Sequence, residues 1–262
     1  MSETSDALPP PKEADLISAS WLVTYLGCHP KWCNEARAEV RKLITSHSLE
    51  TVSECNSPPD SSSTALSSIT LSAWENETPV LDMLIREAIR LSQAYVAFRR
   101  NVGPAMYIDG KVIPTGALVA HPAANVHLDP ALYPDPWKFD PARPQPKGNL
   151  TFLGWGGGAF LHLRLLLKRI ITDVDNVHTF FALGRTTCIG SRLARLNIKL
   201  VSALLLMDFN FDTVDANGRI VDSPPKPNWN DSDGCRPAQG KFFLKYRRLD
   251  NSEPSSCPLS GV

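Results

Sequence analysis

The chain has 262 residues, with 27 basic and 27 acidic side chains and no net charge at pH 7. That balance gives no electrostatic case for binding nucleic acid or an anionic membrane, and no run of about 18 apolar residues is available to span a bilayer. The length suits one or two domains with a sizeable core, and the six cysteines (28, 33, 55, 188, 235, 257) lack paired or zinc-ribbon spacing, which fits a reducing compartment.

Residues 1–13 are polar and proline-rich, lack the pattern of a signal peptide and are expected to be disordered. A helix is predicted over 14–28 and a second over 30–47. The Cys28-His29 and Cys33 side chains lie at the proline junction between them, where packing is favoured over metal ligation. Residues 48–68 are rich in serine and proline and read as a mobile loop. Apolar periodicity then predicts a helix over 79–92, with Thr78 as N-cap and Pro79 at the first helical position. Its Glu87 and Arg90 are three residues apart and share one face. Residues 107–113 read as a hairpin turning at Asp109-Gly110. A proline-rich meander follows over 130–148 and contains Phe139-Asp140-Pro141-Ala142-Arg143-Pro144. Two arginines around one carboxylate can form a planar, charged clamp. Alone, a Glu-x-x-Arg pair reads as a solvated surface pair; the order of the motifs is what sets it apart.

The stretch Phe181-Ala182-Leu183-Gly184-Arg185-Thr186-Thr187-Cys188-Ile189-Gly190 presents one cysteine at the start of a helix. Ile189, Leu193, Leu196, Leu200, Val201 and Leu204 recur at helical spacing behind it. A thiolate at Cys188 gains from the helix N-terminus and from the charge of Arg185. Gly184 and Gly190 leave room for a flat ligand against the backbone. This is the chemistry that a haem iron needs from an axial cysteine; a buried cysteine opening a core helix is the alternative. Short strands are predicted over 210–222 and 241–248, around an Asn217-Gly218 turn, and 249–262 are expected to form a disordered tail. The class is mainly α with small β sheets.

The order Glu-x-x-Arg, Phe-x-Pro-x-Arg loop, glycine–cysteine loop resembles the cytochrome P450 family of haem-thiolate monooxygenases, fungal members most of all. The resemblance runs from about Leu16 to about Arg248. Glu77 to Asp82, Arg99 to Pro104, Tyr107 to Pro114, His127-Leu128-Asp129-Pro130 and Tyr133 to Phe139 support it. It implies a haem domain over 14–248, the C-terminal half of the family's fold, truncated at the N-terminus. It implies haem b, with Cys188 as axial ligand of the iron. Glu87, Arg90 and Arg143 become the structural triad behind the haem, and Arg99 or Arg100 reaches a propionate. Asp15 and Ser18 are the nearby acid and alcohol for proton relay, although they do not match the family's pattern cleanly.

Gly154-Trp155-Gly156-Gly157-Gly158 looks like the start of the family's cysteine loop, yet 159–183 intervene before Arg185 and Cys188. This leucine-rich stretch has no family counterpart. We read codons 158–184 as a retained intron. Gly158-Ala159-Phe160 can encode a splice donor and Leu183-Gly184 an acceptor; with the cuts inside codons 158 and 184 the span equals 26 codons and is in frame. Its removal leaves Trp-Gly-Gly-Gly-Arg-Thr-Thr-Cys-Ile-Gly. The alternative is an inserted amphipathic helix.

The resemblance implies a monooxygenase inserting one oxygen atom of dioxygen into a small organic substrate. Electrons come from an NADPH-dependent flavoprotein reductase, and the setting is a fungal secondary-metabolite pathway. Full-length relatives are anchored at the cytosolic face of the endoplasmic reticulum, whereas this chain is expected in the cytoplasm. The alternative is a truncated, catalytically inactive remnant.

Overall fold

The computed structural model describes residues 14–51, 62–93, 96–148, 151–154, 190–231 and 235–249. The elements in chain order are helices α1 (Ala14–Cys28), α2 (Pro30–Thr51), α3 (Ser62–Ser67), α4 (Leu71–Asn76) and α5 (Pro79–Ser92), then strands β1 (Val96–Arg100), β2 (Met106–Ile108), β3 (Lys111–Ile113) and β4 (Leu118–Pro122). Helices α6 (Ala123–His127) and α7 (Ser191–Asp208) and strands β5 (Phe209–Val214) and β6 (Phe243–Arg248) complete the described residues. The expected mainly helical class with small sheets is what is observed.

Helix α1 is apolar on most of its circumference, and such a helix must be enclosed. It packs against α5, α7 and β5 and buries Trp21, Leu22, Val23, Tyr25 and Leu26. Its approach to β5 is close. A Cβ on Gly27 would stand 2.8 Å from the Thr213 nitrogen, and Thr213 Oγ1 donates to Thr24 O at 2.8 Å. Arg37 of α2 ties the end of α7 to β5, donating to Leu206 O at 2.8 Å and to Phe209 O at 2.9 Å.

Helix α5 spans the predicted residues, with Pro79 in its first turn. Thr78 stands at the N-cap but makes no side-chain cap; its hydroxyl donates to Trp74 O at 2.8 Å. The orphan N–H groups of the first turn are satisfied instead by Glu39 of α2. Its two carboxylate oxygens accept from Val80 N at 2.7 Å and Leu81 N at 2.9 Å, an anion at the positive end of the helix dipole.

The mobile loop expected over 48–68 is corrected at both ends. Residues 48–51 continue α2 and 62–67 form α3, because burying Ala65 and Leu66 outweighs the weak helical preference of serine and threonine. The apolar stripe expected on α7 is also offset. Leu193 and Leu204 are exposed, and the buried face carries Ile198, Lys199, Ser202, Ala203 and Leu206. Lys199 enters the interior because its Nζ donates to Trp74 O at 2.8 Å and meets Asp82 Oδ1 at 2.8 Å.

Among the described residues the small sheets are antiparallel pairs: β1 with β4, β2 with β3, and β5 with β6. The β2–β3 hairpin turns as expected at Asp109 (φ 49°) and Gly110 (φ 71°), the mirror-image turn that matches strand twist. The Asn217-Gly218 turn leads only to a bridge between Val214 and Ile220, and β5 takes its full partner later, from β6.

Candidate functional site: a buried carboxylate–diguanidinium cluster

Glu87 lies on the inner face of α5, where amphipathic spacing turns it and Arg90 away from solvent; both are buried. Arg90 grips it as a fork, with Nε to Oε2 at 2.8 Å and Nη2 to Oε1 at 2.9 Å. Arg143, from the proline-fixed loop, adds its Nε to Oε1 at 3.0 Å. The Asp140 backbone N–H also donates to Oε1, at 3.0 Å. The expected convergence of Glu87, Arg90 and Arg143 is therefore present in the geometry.

One carboxylate does not balance two guanidinium groups. The remaining donors are spent on main-chain carbonyls: Arg90 Nη1 on His127 O at 2.7 Å, Arg143 Nη1 on Pro134 O at 2.9 Å and Arg143 Nη2 on Lys138 O at 2.7 Å. The Tyr133 ring offers its face to Arg90, 4.9 Å from ring centroid to guanidinium carbon. Arg143 thus gathers the meander around its own carbonyls, while its Nε and the Asp140 N–H fasten the meander to Glu87 of α5, which is how a chain without regular structure is held in one conformation.

His127 sits beside the cluster and is fully buried. Its Nε2 accepts from Leu153 N at 2.8 Å, so the ring is the neutral tautomer with its proton on Nδ1. Burial, helped by the nearby Arg90 and Arg86 charges, pushes its pKa down to about 4. Gln93 Nε2 donates to Gly154 O at 3.1 Å. Gly154 has no room for a side chain, since a Cβ there would come within 2.6 Å of Ile89 Cγ2 on α5. Sequence reasoning missed His127, Tyr133 and Gln93 as members of this cluster. His127 and Tyr133 lay inside stretches already singled out, but their roles depend on carbonyls and amides that no side-chain pattern reveals.

The other candidates stand apart. Arg100 is exposed on β1, with Nη1 3.5 Å from Gly116 O. It pairs across the sheet with Leu118, and Phe98, two residues away, shares its face. Phe98 and Leu118 are 56% and 59% exposed, so this face is apolar with a cation at its edge. Gly190 is the N-cap residue of α7, which starts with no side-chain cap and no acidic residue in its first turn. Ser18 is half-buried on α1. The side chains of Asp15 and Arg99 lie outside the described residues, as do Gly184, Arg185, Cys188 and the whole of 159–183. Among the described residues no group of His, Cys, Asp and Glu could hold a metal ion, and no helix is long and apolar enough to cross a membrane.

The sequence model of the family described as Cytochrome P450 matches residues 16–228. Cytochrome P450 monooxygenase AacuE of Aspergillus aculeatus is 27% identical over 207 residues, a match covering 76% of this chain and 35% of the relative. Cytochrome P450 monooxygenase dmxR5 of a Cryptosporiopsis species is 26% identical, covering 76% of this chain and 33% of the relative. The chain thus spans about a third of the length of the curated relatives it matches. Among solved structures, a retinoic acid-bound cyanobacterial CYP120A1 superposes with a TM-score of 0.59 at 22% identity, over 90% of this chain and 43% of that one. At that identity the likeness speaks for the fold alone.

Proposed function

Because this chain belongs to the cytochrome P450 family, we propose that it supplies the haem-thiolate part of a monooxygenase acting on a small organic substrate, in a fungal secondary-metabolite pathway. The observation that carries this reading is the buried convergence of Glu87, Arg90 and Arg143 on one carboxylate, within the matched span. Haem is the cofactor of the family, and two features described above fit it. The β1–β4 face offers apolar area beside the Arg100 guanidinium, as an apolar macrocycle with anionic propionates requires. The N-terminus of α7, without a side-chain cap or an acid in its first turn, favours an anionic sulfur arriving from Cys188. When bound, haem supplies reductive activation of dioxygen, and thiolate ligation favours O–O cleavage.

In this reading Cys188 holds the iron. Arg99 or Arg100 meets a propionate, Arg185 adds its charge beside the thiolate, and Gly184 and Gly190 leave space against the backbone. Glu87, Arg90 and Arg143 hold the meander beneath the site, and Asp15 with Ser18 on α1 would hand protons towards the oxygen-binding side. Electrons come from an NADPH-dependent flavoprotein reductase. The haem domain is 14–248, and the stretch from within codon 158 to within codon 184 is a retained intron whose removal rebuilds one glycine from its two ends, which sequencing of the transcript across this span decides.

The test is a reduced, carbon monoxide-treated preparation of the full chain, reconstituted with haem. The thiolate-type Soret band is expected and should be lost in Cys188→Ser. A band that persists in that variant overturns the assignment of Cys188. Absence of haem uptake by the unsubstituted chain, with and without 159–183, turns the reading to the inactive remnant. Oxygen uptake with NADPH and reductase then measures turnover.

A further inference from the structure

Residues 151–154 are held to α5 and the meander one after another, each by a different attachment. The Tyr133 hydroxyl donates to Thr151 O at 2.6 Å. The Phe152 ring lies between the Arg86 guanidinium, 4.1 Å from its centroid, and the stacked His127 ring at 5.1 Å. Leu153 N donates to His127 Nε2, and Gly154 O accepts from Gln93. A free strand needs no such treatment. Four consecutive residues are fixed, immediately before the chain enters the segment that carries Cys188.

His127 is the centre of this arrangement. Its own carbonyl is clamped by Arg90 Nη1 at 2.7 Å, so the ring's base is tied to the Glu87 cluster while its tip takes the Leu153 amide. It therefore transmits the position of Arg90 to Leu153 through one rigid side chain. Its Nδ1 is buried and has no hydrogen-bond partner among the described residues. Because Nε2 accepts from the Leu153 amide, the ring proton stands on Nδ1 and the lone pair on Nε2 is aimed at Leu153.

We propose that His127 is a positioning residue, which fixes through the Leu153 N–H the point at which the chain leaves the Glu87–Arg90–Arg143 cluster for the cysteine-bearing segment. This rests on the haem-thiolate reading for its consequence, but not for its geometry. An imidazole serves here as a hydrogen-bond acceptor of fixed reach, not as a proton carrier.

Two substitutions separate the acceptor from the ring. His127→Phe keeps an aromatic ring against Phe152 and removes the acceptor. His127→Gln removes the ring and keeps an acceptor at the reach of Nε2. Hydrogen–deuterium exchange on the full chain is followed in peptides over 151–154, with α5 as the internal control. In His127→Phe, exchange at 151–154 is expected to rise by about tenfold, the size of effect for a buried amide left without its acceptor. Exchange in α5 should stay unchanged, and His127→Gln should keep the unsubstituted rate. In haem-loaded protein the fraction with the thiolate-type Soret band should fall in His127→Phe and recover in His127→Gln.

Unchanged exchange in His127→Phe overturns the proposal. So does loss of protection in α5 together with 151–154, which would make His127 ordinary core. Faster exchange with an undiminished thiolate band also overturns it. Failure of the unsubstituted chain to take up haem instead sinks the haem-thiolate reading, and the exchange comparison still decides the role of His127.

Discussion

Glu87 and Glu75 each meet an arginine fork, one beneath the surface and one upon it. The Glu87 and Arg90 side chains are 3% and 1% exposed, whereas Glu75 and Arg192 are 34% and 71% exposed. Both pairs are bidentate: Arg192 Nη2 reaches Glu75 Oε2 at 2.8 Å, and its Nε reaches Oε1. The contact geometry is thus nearly the same and the surroundings opposite. Around Glu75, water solvates both ions whether or not they meet, so little is lost on parting. Glu87 is buried away from solvent, and a second arginine and a backbone amide depend on its Oε1. What makes the buried cluster indispensable is less the strength of its attraction than the cost of leaving any member alone.

The largest effect belongs to Glu87→Ala, which strands Arg90 and Arg143 in the interior. It should cost about 3–5 kcal/mol, enough to leave a small protein largely unfolded. Chemical denaturation of the soluble fraction measures it, and a loss below about 1 kcal/mol would place the cluster with the surface pairs.

Acid is the next lever. The folded pKa of His127, about 4, lies below its ordinary 6.5, so the folded state binds fewer protons than the unfolded one in between. The stability it contributes is complete above pH 6.5 and is lost as pH falls towards about 4, amounting to about 3 kcal/mol at most. In His127→Gln this part of the acid limb should flatten; an identical limb in both proteins would assign the effect to carboxylates.

Glu39→Ala withdraws two acceptors from the first turn of α5 and should cost about 1–2 kcal/mol, as lost N-caps do. Thr78→Val tests the same helix from the other side. It should not undo an N-cap, because that hydroxyl already donates to Trp74 O. Thermal melts of both variants order them. The smallest effect belongs to Glu75→Ala. Hydrogen bonds from Arg192 hold its carboxyl below the usual range, but the pair is solvated. The melting temperature should stay within error at low and at high salt, where the Glu87 variant remains impaired.

Much of this was legible in the residues, for definable reasons. Helix α5 was read with its full span because its apolar period, its proline and its Glu-x-x-Arg spacing all agree. The clamp on Glu87 could be anticipated because guanidinium and carboxylate have one good mutual geometry. Other features were hidden because their causes are remote in sequence. Lys199 reads as a solvated helical residue until its partners, Trp74 and Asp82, fold across it. Glu39 caps a helix 41 residues downstream, so Thr78 looked like the cap. The helix over 62–67 depends on burying Leu66, which no local propensity reports. His127 stood in a motif already noted, but its function lies in an amide and a carbonyl, groups that every residue carries.

The enclosure of α1 has a consequence for how the molecule comes to exist. Trp21 donates to Cys235 O across 214 residues of chain, and Thr24 receives its bond from Thr213 across 189. Helix α1 thus belongs to the centre of the core, yet these two covering residues are synthesised 189 and 214 residues after the partners they meet. At a translation speed of roughly 5–20 residues per second, a helix that is oily on nearly every side waits about 10–40 s for its final neighbours. Long-range closure of this kind also slows spontaneous refolding. During that interval the part of α1 that these neighbours cover stays exposed. Its exposure time, more than the final stability of the core, should govern how much of the nascent protein escapes aggregation.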